Sequence, residues 1–460
     1  MSLNIHGLFA EHEAERFALH ARFLNEQIVR VLKTVGYDVG FVRSKGQYLW
    51  DRAGTKYLDL ISGFGVFAIG RNHPRVQEAL RQVLESDLPN LVQMDVSPLA
   101  GILAERLLAR VPHLEKVFFA NSGTETVEAA IKFARAATKR TAIAYCSQAF
   151  HGLSYGALSL NGNAIFRKGM EGFLPDCMEV PFNDLNSLED VLKSKRFAGF
   201  FVEPIQGKDV NIPGDGYLMG VQVLCQRYGT LFVADEIQMG LGRTGKFLAV
   251  DYEGAEPDMV LLAKALSGGE IPVGAVLARK WVFDKLFNRM DRAVVHGSTF
   301  AKNNMAMAAG LATLAVLDDE CLIERAAEKG ERLLSFFRVI QQRYELIKAV
   351  RGKGLMIGIE FGAPKSLALK MQWHALETAR SGLFCQTITL PLFKEHNILV
   401  QVAGIGSHTI KLQPPLIISD EDCAWIEAAF EAAIAAAHKP GAFWSLGKSL
   451  VENVVRAKED

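Results

Sequence analysis

The stretch Met259-Val260-Leu261-Leu262-Ala263-Lys264 carries an apolar run straight to an amine, and Gly268-Gly269 stops whatever follows. A lysine at the end of a buried strand can have a lowered amine pKa, the state that attack on a carbonyl requires. Four other apolar runs end in useful chemistry. Val117-Phe118-Phe119-Ala120 leads into Asn121-Ser122-Gly123-Thr124-Glu125 and then a helical pattern. Such a turn offers a phosphate free backbone N–H groups, a helix dipole and the hydroxyls of Ser122 and Thr124. Plain helix capping explains the same residues. Ala142-Ile143-Ala144-Tyr145 precedes Phe150-His151-Gly152, where an aromatic beside a glycine can lie flat on a ring, or can simply be core. Phe200-Phe201-Val202 ends in Glu203, and Leu231-Phe232-Val233-Ala234 ends in Asp235. A carboxylate leaving an apolar strand needs a cation or its pKa rises, whether its role is structural or functional.

These groups must be positioned by a sheet. Between about 74 and 320, helical stretches alternate with short apolar strands, which predicts a mainly parallel sheet covered on both faces. Ligands of such sheets bind beyond the carboxyl ends of the strands. One phosphorylated, aromatic, aldehyde-bearing ring with a basic nitrogen would use all five ends. Around this centre, residues 11–35 have helical spacing and 39–62 alternate as strands. Ser62 to Gly70 is a glycine-spaced loop. Leu322 to Glu345 and residues 420–438 are helical, and 350–418 mixes strands with a helix. The fold class is therefore α/β. Residues 1–73 form an N-terminal segment of a small α+β domain, 74–320 the large ligand-binding domain, and 321–460 the rest of the small domain. The tail with Phe443, Trp444, Leu446, Leu450 and Val451 reads as a docked helix, with peripheral membrane contact as the alternative.

Composition narrows the classes. Hydrophobic residues make up 49% and charged residues 22%, with Lys+Arg 51 balanced by Asp+Glu 51. A net charge of zero gives no support to nucleic-acid binding. The six cysteines are scattered without a Cys-x-x-Cys pair, which predicts reduced thiols in a cytoplasmic protein and no metal site. No apolar run is long enough to cross a membrane.

Asn121-Ser122-Gly123-Thr124-Glu125, Phe150-His151-Gly152, Glu203-Pro204-Ile205-Gln206-Gly207, Asp235-Glu236-Ile237-Gln238, Lys264-Ala265-Leu266 and Gly297-Ser298-Thr299-Phe300 together resemble class III pyridoxal-phosphate-dependent aminotransferases, over about residues 20 to 435. The resemblance implies fold type I of the pyridoxal-phosphate transferases, pyridoxal 5'-phosphate as cofactor and a homodimer with shared active sites. Lys264 would hold the cofactor covalently and shuttle the substrate proton. Asp235 would keep the pyridine nitrogen protonated. Ile237 and Phe150 would sandwich the ring, with His151 beside it and Gln238 near the phenolic oxygen. Ser122, Gly123 and Thr124 would hold the phosphate, and Ser298 and Thr299 would serve the neighbouring subunit's cofactor. Glu203 would lie close behind, as support or as a structural ion pair.

The sequence departs from ornithine, acetylornithine and 4-aminobutyrate enzymes on the substrate side. Their Glu–Arg pair is replaced by Lys208 and Lys411, and an arginine after Phe-His-Gly by Leu153. These changes argue against ordinary transamination of those substrates. With Val294-Val295-His296 and Arg351-Gly352-Lys353-Gly354-Leu355, they resemble a subgroup tied to hopanoid tailoring, whose product is aminobacteriohopanetriol. Phe64, Phe67 and Leu153 would suit a less polar substrate entrance, or ordinary packing. The alternatives are an ornithine- or diamine-type ω-aminotransferase, an aminomutase or racemase on the same fold, and a cofactor-binding protein without catalysis. A nucleotide-binding loop at Gly240-Leu241-Gly242-Arg243-Thr244-Gly245-Lys246 fails because Phe247 stands where Mg²⁺ chemistry needs Ser or Thr.

Overall fold

The computed structural model describes residues 3–92 and 94–439. Its centre is a seven-stranded sheet of β4 (Lys116–Ala120), β5 (Ala142–Cys146), β6 (Cys177–Val180), β7 (Phe197–Val202), β8 (Leu231–Asp235), β9 (Met259–Leu262) and β10 (Gly274–Ala278). The spatial order is β4-β10-β9-β8-β7-β5-β6. Strands β5 to β9 pair in parallel, and β10 runs antiparallel to both β9 and β4. The carboxyl ends of β4, β5, β7, β8 and β9 therefore share one edge. Every residue of β5, β7, β8, β9 and β10 is buried, which is why these strands read as unbroken apolar runs. The helix Gly123–Thr138 covers one face with Val127, Ala130, Ile131 and Ala134 at helical spacing. The helix Asn304–Asp319 packs on the turn that carries Lys264.

Two four-stranded sheets flank this core. The first joins β1 (Phe41–Lys45), β2 (Tyr48–Asp51) and β3 (Lys56–Asp59) to β13 (Ile398–Leu399). The pairing of Ile398 with Leu58 is parallel, so distant chain segments build one sheet. The second has the order β11 (Ile347–Lys353), β12 (Met356–Phe361), β15 (Thr409–Leu412), β14 (Gln401–Val402). Helices Leu322–Arg343 and Asp420–Ala437 pack together, with the Phe337 and Phe430 rings edge to face at 5.2 Å. Asp422 closes a capping box with Ser419 and also accepts from Tyr48 Oη at 2.6 Å, fastening the last helix to β2.

Two loops show how backbone conformation and burial are held in place. Residues 62–65 form a tight turn in which Ser62, Gly63, Phe64 and Gly65 all have positive φ, at 49°, 59°, 60° and 86°. Glycine takes that conformation freely, but Ser62 and Phe64 do not, so neighbouring contacts must impose it. The glycine-rich loop around Arg243 is no anion cradle. Arg243 is fully buried and donates to the carbonyls of Leu355 and Pro414, bolting the large sheet to the second flanking sheet. Burial pushes its pKa down to about 9. Cys146, Cys225, Cys385 and Cys423 are buried free thiols, whereas Cys321 is exposed. Among the described residues no helix is long and apolar enough to cross a membrane. The expected docked helix near Phe443 to Val451 lies outside the described residues.

Candidate active site

The site forms where the strand ends meet. Lys264 opens a 3₁₀ turn directly after β9, with φ of 44°. A non-glycine residue in the left-handed region is strained, and such strain gathers at functional positions. Burial lowers the Lys264 pKa, and the charges of Asp235 and Glu203 oppose that shift. Asp235 ends β8, 3% exposed. Its Oδ1 accepts the Ile237 N–H at 3.1 Å, and its Oδ2 meets His151 Nδ1 at 2.7 Å. Burial alone would lower the His151 pKa, but the hydrogen bond and charge of Asp235, helped by Glu203, raise it. The imidazole thus supplies the cation that a buried carboxylate needs. Its Nε2 is buried and has no hydrogen-bond partner among the described residues.

Glu203, 5% exposed, holds the loops behind. It accepts the Phe150 N–H at 3.0 Å and the Gly207 N–H at 2.9 Å. Burial raises its pKa, Asp235 adds to the rise, and His151 opposes it. The function of this acid is therefore visible in its contacts: it fixes two backbone turns at the sheet edge.

At the end of β4, Ser122 caps the helix Gly123–Thr138, its Oγ accepting the Glu125 N–H at 3.3 Å. The first-turn N–H groups of Gly123 and Thr124 lack intrahelical acceptors by the geometry of a helix start. The Thr124 hydroxyl is already occupied. It accepts the Ser154 N–H at 3.1 Å and lies 2.6 Å from Ser154 Oγ. Because Ser154 Oγ donates to Glu128 Oε1 at 2.6 Å, Thr124 must donate to Ser154. An anion here meets the Ser122 hydroxyl and backbone N–H groups in preference to the Thr124 hydroxyl. A Cβ at Gly123 would stand 3.0 and 3.1 Å from two Ile237 side-chain carbons. The floor between β8 and the helix start is that close. These features fit a flat phosphorylated ring: an anion-binding turn, a paired acid, a buried amine and a glycine floor meet at one edge.

Gln238 faces the opposite way. Its Nε2 donates to the Phe64 carbonyl at 3.2 Å and to Gln413 Oε1 at 3.1 Å. Lys411, 4% exposed on β15, donates to the Gly207 carbonyl at 2.9 Å. Its pKa falls to about 8, chiefly through burial and then through the charge of Lys264. Lys208 is half-buried, its aliphatic carbons 3.4 Å from where a Gly404 Cβ would lie. Phe64, Phe150 and Leu153 are exposed. The Phe67 ring lies under the Arg71 guanidinium at 3.9 Å, a structural contact. Ser298 accepts from Asn121 Nδ2 at 2.5 Å, and Thr299 beside it is exposed.

Sequence reasoning missed the His151–Asp235 bond, the Thr124–Ser154–Glu128 chain and the whole contribution of Gln413. The need of a buried Asp235 for a cation could have prompted a search for a histidine at another strand end on the same edge, here the end of β5, two strands away from β8. Nothing in local spacing announces Gln413.

Comparison with known proteins agrees with this geometry. A solved ornithine aminotransferase from Toxoplasma gondii ME49 superposes with a TM-score of 0.82 at 28% identity, covering 95% of this chain and 99% of that one. An amine transaminase from an uncultivated Pseudomonas species, solved with pyridoxal phosphate bound, matches with a TM-score of 0.75 at 27% identity, covering 87% and 95% of the two chains. The aminotransferase PigE of Serratia sp. (strain ATCC 39006) is 34% identical over 446 residues, which is 89% of this chain and 52% of that protein. The chain thus spans about half the length of that curated relative. The family model for class III aminotransferases matches residues 33–434, nearly the whole described length, and this chain belongs to the class III aminotransferases.

Proposed function

We propose that the chain is a pyridoxal-phosphate-dependent transaminase, moving an amino group between an amino donor and an aldehyde or keto acceptor. The observation that carries this reading is the strained, partly buried Lys264 at the end of β9, facing the Asp235–His151 pair at the end of β8. When bound, the cofactor supplies a ring that takes up the electron pair left as a substrate C–H bond breaks. The chain's own residues do the rest. Lys264 Nζ holds the cofactor covalently, then takes and returns the substrate proton. Asp235 holds a proton on the ring nitrogen, and His151 Nδ1 fixes Asp235 in place. Ser122 with the N–H groups of Gly123 and Thr124 binds the phosphate. Ile237 and Phe150 flank the ring, and Glu203 braces the Phe150 and Gly207 loops, while Gln238 spends both amide protons on the Phe64 carbonyl and Gln413 and so offers the phenolic oxygen no donor.

The active unit is a homodimer in which Ser298 and Thr299 lie next to the partner's cofactor. Exposed Met94, Val96, Met290, Val294 and Phe300 support this, because Asn304 bonds to Asn90 and Pro89 and so ties the two segments together. Buried free thiols support a reducing, cytoplasmic setting. The acceptor is a bulky aldehyde of the hopanoid side-chain type. Lys208 and Lys411 in place of a Glu–Arg pair support this, as do the exposed Phe64 and Leu153 at the entrance. The test is borohydride reduction of the cofactor-loaded protein followed by peptide mapping, then a donor panel with mass detection of aminated products. An adduct on a residue other than Lys264, or no keto product from any donor, overturns the reading.

A further inference from the structure

Gln413 lies one residue beyond β15 and is wholly buried. It makes four hydrogen bonds to two functional segments. Its N–H donates to the Leu60 carbonyl at 3.0 Å, and its carbonyl accepts from Ser62 Oγ at 2.8 Å. Its side-chain Nε2 donates to the Ile61 carbonyl at 3.1 Å, and its Oε1 accepts from Gln238 Nε2 at 3.1 Å. Gln238 spends its other amide proton on the Phe64 carbonyl at 3.2 Å. The amide orientation is thereby settled, since a flipped Gln238 would set oxygen against the Phe64 carbonyl. Three carbonyl or hydroxyl groups in and beside the strained turn, at Ile61, Ser62 and Phe64, are thus held by one glutamine pair.

The geometry points to Gln413 as a positioning residue for substrate specificity. Together with Asp59, whose Oδ1 accepts the Ile61 and Ser62 N–H groups at 2.9 and 3.0 Å, it holds the left-handed turn at residues 62–65, sets where the exposed Phe64 ring stands, and couples that position to Gln238. This assignment rests on the transaminase reading for its kinetic consequence, but not for its structural one. Because, among the described residues, Gln413 alone both accepts from Gln238 and donates to the Ile61 carbonyl, an apolar replacement releases both segments together. Lys411, two residues earlier on the same face of β15, brings the same strand to Gly207. One strand therefore aligns both walls on the substrate side.

The test compares Gln413→Met, which keeps length and volume, with Gln413→Glu, which keeps the acceptor but sets a carboxylate against the Ile61 carbonyl. Ser62→Ala is a milder variant that removes one strap bond and leaves the core filled. Hydrogen exchange should show protection of the peptide around residues 60–67 falling at least about tenfold in both Gln413 variants and less in Ser62→Ala. The helix Gly123–Thr138 should be unaffected, and apo-protein titration should give unchanged cofactor occupancy. In the loaded enzyme, KM for the amino donor should rise about fivefold or more with kcat within twofold, and discrimination between small and bulky amines should narrow. Unchanged exchange around residues 60–67 overturns the proposal. A fall in kcat and cofactor occupancy with KM unmoved also overturns it, since that pattern marks a fault on the cofactor side. If no amine is turned over by the wild-type enzyme, the transaminase reading fails while the exchange result still decides the role of Gln413.

Discussion

The two walls of the site are built on different plans. On the proposed cofactor side, the two acids stand at the ends of strands in one sheet, and each is answered locally. Asp235 has His151, Glu203 has two backbone N–H groups, and Ser154 has Glu128. On the proposed substrate side the groups come from three distant segments, near residues 62, 208 and 413. There a buried ammonium, Lys411, rests on a carbonyl and not on a carboxylate. A wall with paired charges is rigid before any ligand arrives. A wall with an unanswered buried cation carries an energetic cost that a ligand anion or a shift in protonation can relieve.

The largest blow to this contrast should fall on the cofactor side. Lys264→Ala should abolish turnover while leaving secondary structure by circular dichroism unchanged. Residual turnover above about one-thousandth of wild type would assign the proton transfer to another group. Asp235→Asn should retain cofactor but lose roughly 10² to 10⁴ in rate, because a neutral amide no longer holds the ring nitrogen protonated. Stopped-flow measurement of the first half-reaction checks it, and a loss under about tenfold would break the proposed assignment.

The substrate wall should respond in stability. Lys411→Met removes the buried ammonium. The folded pKa of about 8 lies below the ordinary lysine value of 10.5. Below pH 8 the amine is protonated in both folded and unfolded chains, and the folded state bears the full cost of charging it. Between pH 8 and 10.5 only the unfolded chain holds the proton, so wild-type stability climbs with pH across that window. The gap corresponds to roughly 3 kcal/mol. Urea unfolding should therefore find Lys411→Met more stable than wild type at pH 7 by about 1–3 kcal/mol, with the advantage shrinking by pH 10. A variant less stable at pH 7 would show that the Gly207 hydrogen bond outweighs the burial cost.

The smallest effect sharpens the boundary between the walls. Gly123→Ala puts a methyl 3.0 Å from Ile237, whose side chain must shift by a few tenths of an ångström. Cofactor affinity, read by fluorescence titration of the apo-protein, should fall about tenfold, or 1.4 kcal/mol. Donor KM should stay unchanged. A change in KM with unchanged cofactor affinity would mean that the floor under Ile237 belongs to the substrate.

This contrast also explains what the sequence disclosed. The strand ends at Lys264, Asp235, Glu203 and Ser122 were legible because a buried parallel strand and the turn after it are contiguous in the chain. Their shared edge followed from topology alone. The His151–Asp235 bond spans two loops 84 residues apart, and the Gln238–Gln413 bond spans 175, so only the folded chain joins them. Arg243 sat in a glycine pattern that suggested a phosphate loop, and its buried bonds to Leu355 and Pro414 give the pattern a structural purpose. The strained turn after Ile61 was read as a loop, and the bonds that Gln413 makes to it come from about 350 residues further along the chain, where local spacing gives no sign of them.

The parallel pairing of Leu58 with Ile398 has a consequence in time. About 340 residues must leave the ribosome after Leu58 before its partner emerges, roughly 20 to 70 seconds at ordinary synthesis rates. During that interval β3 has one open edge, and Leu58, Asp59 and Leu60, which the finished protein buries, have no permanent cover. The central sheet, closed by residue 278, can assemble first. The flanking sheet of β3 is then completed after the central one, and the open edge of β3 is the place where aggregation during synthesis would begin.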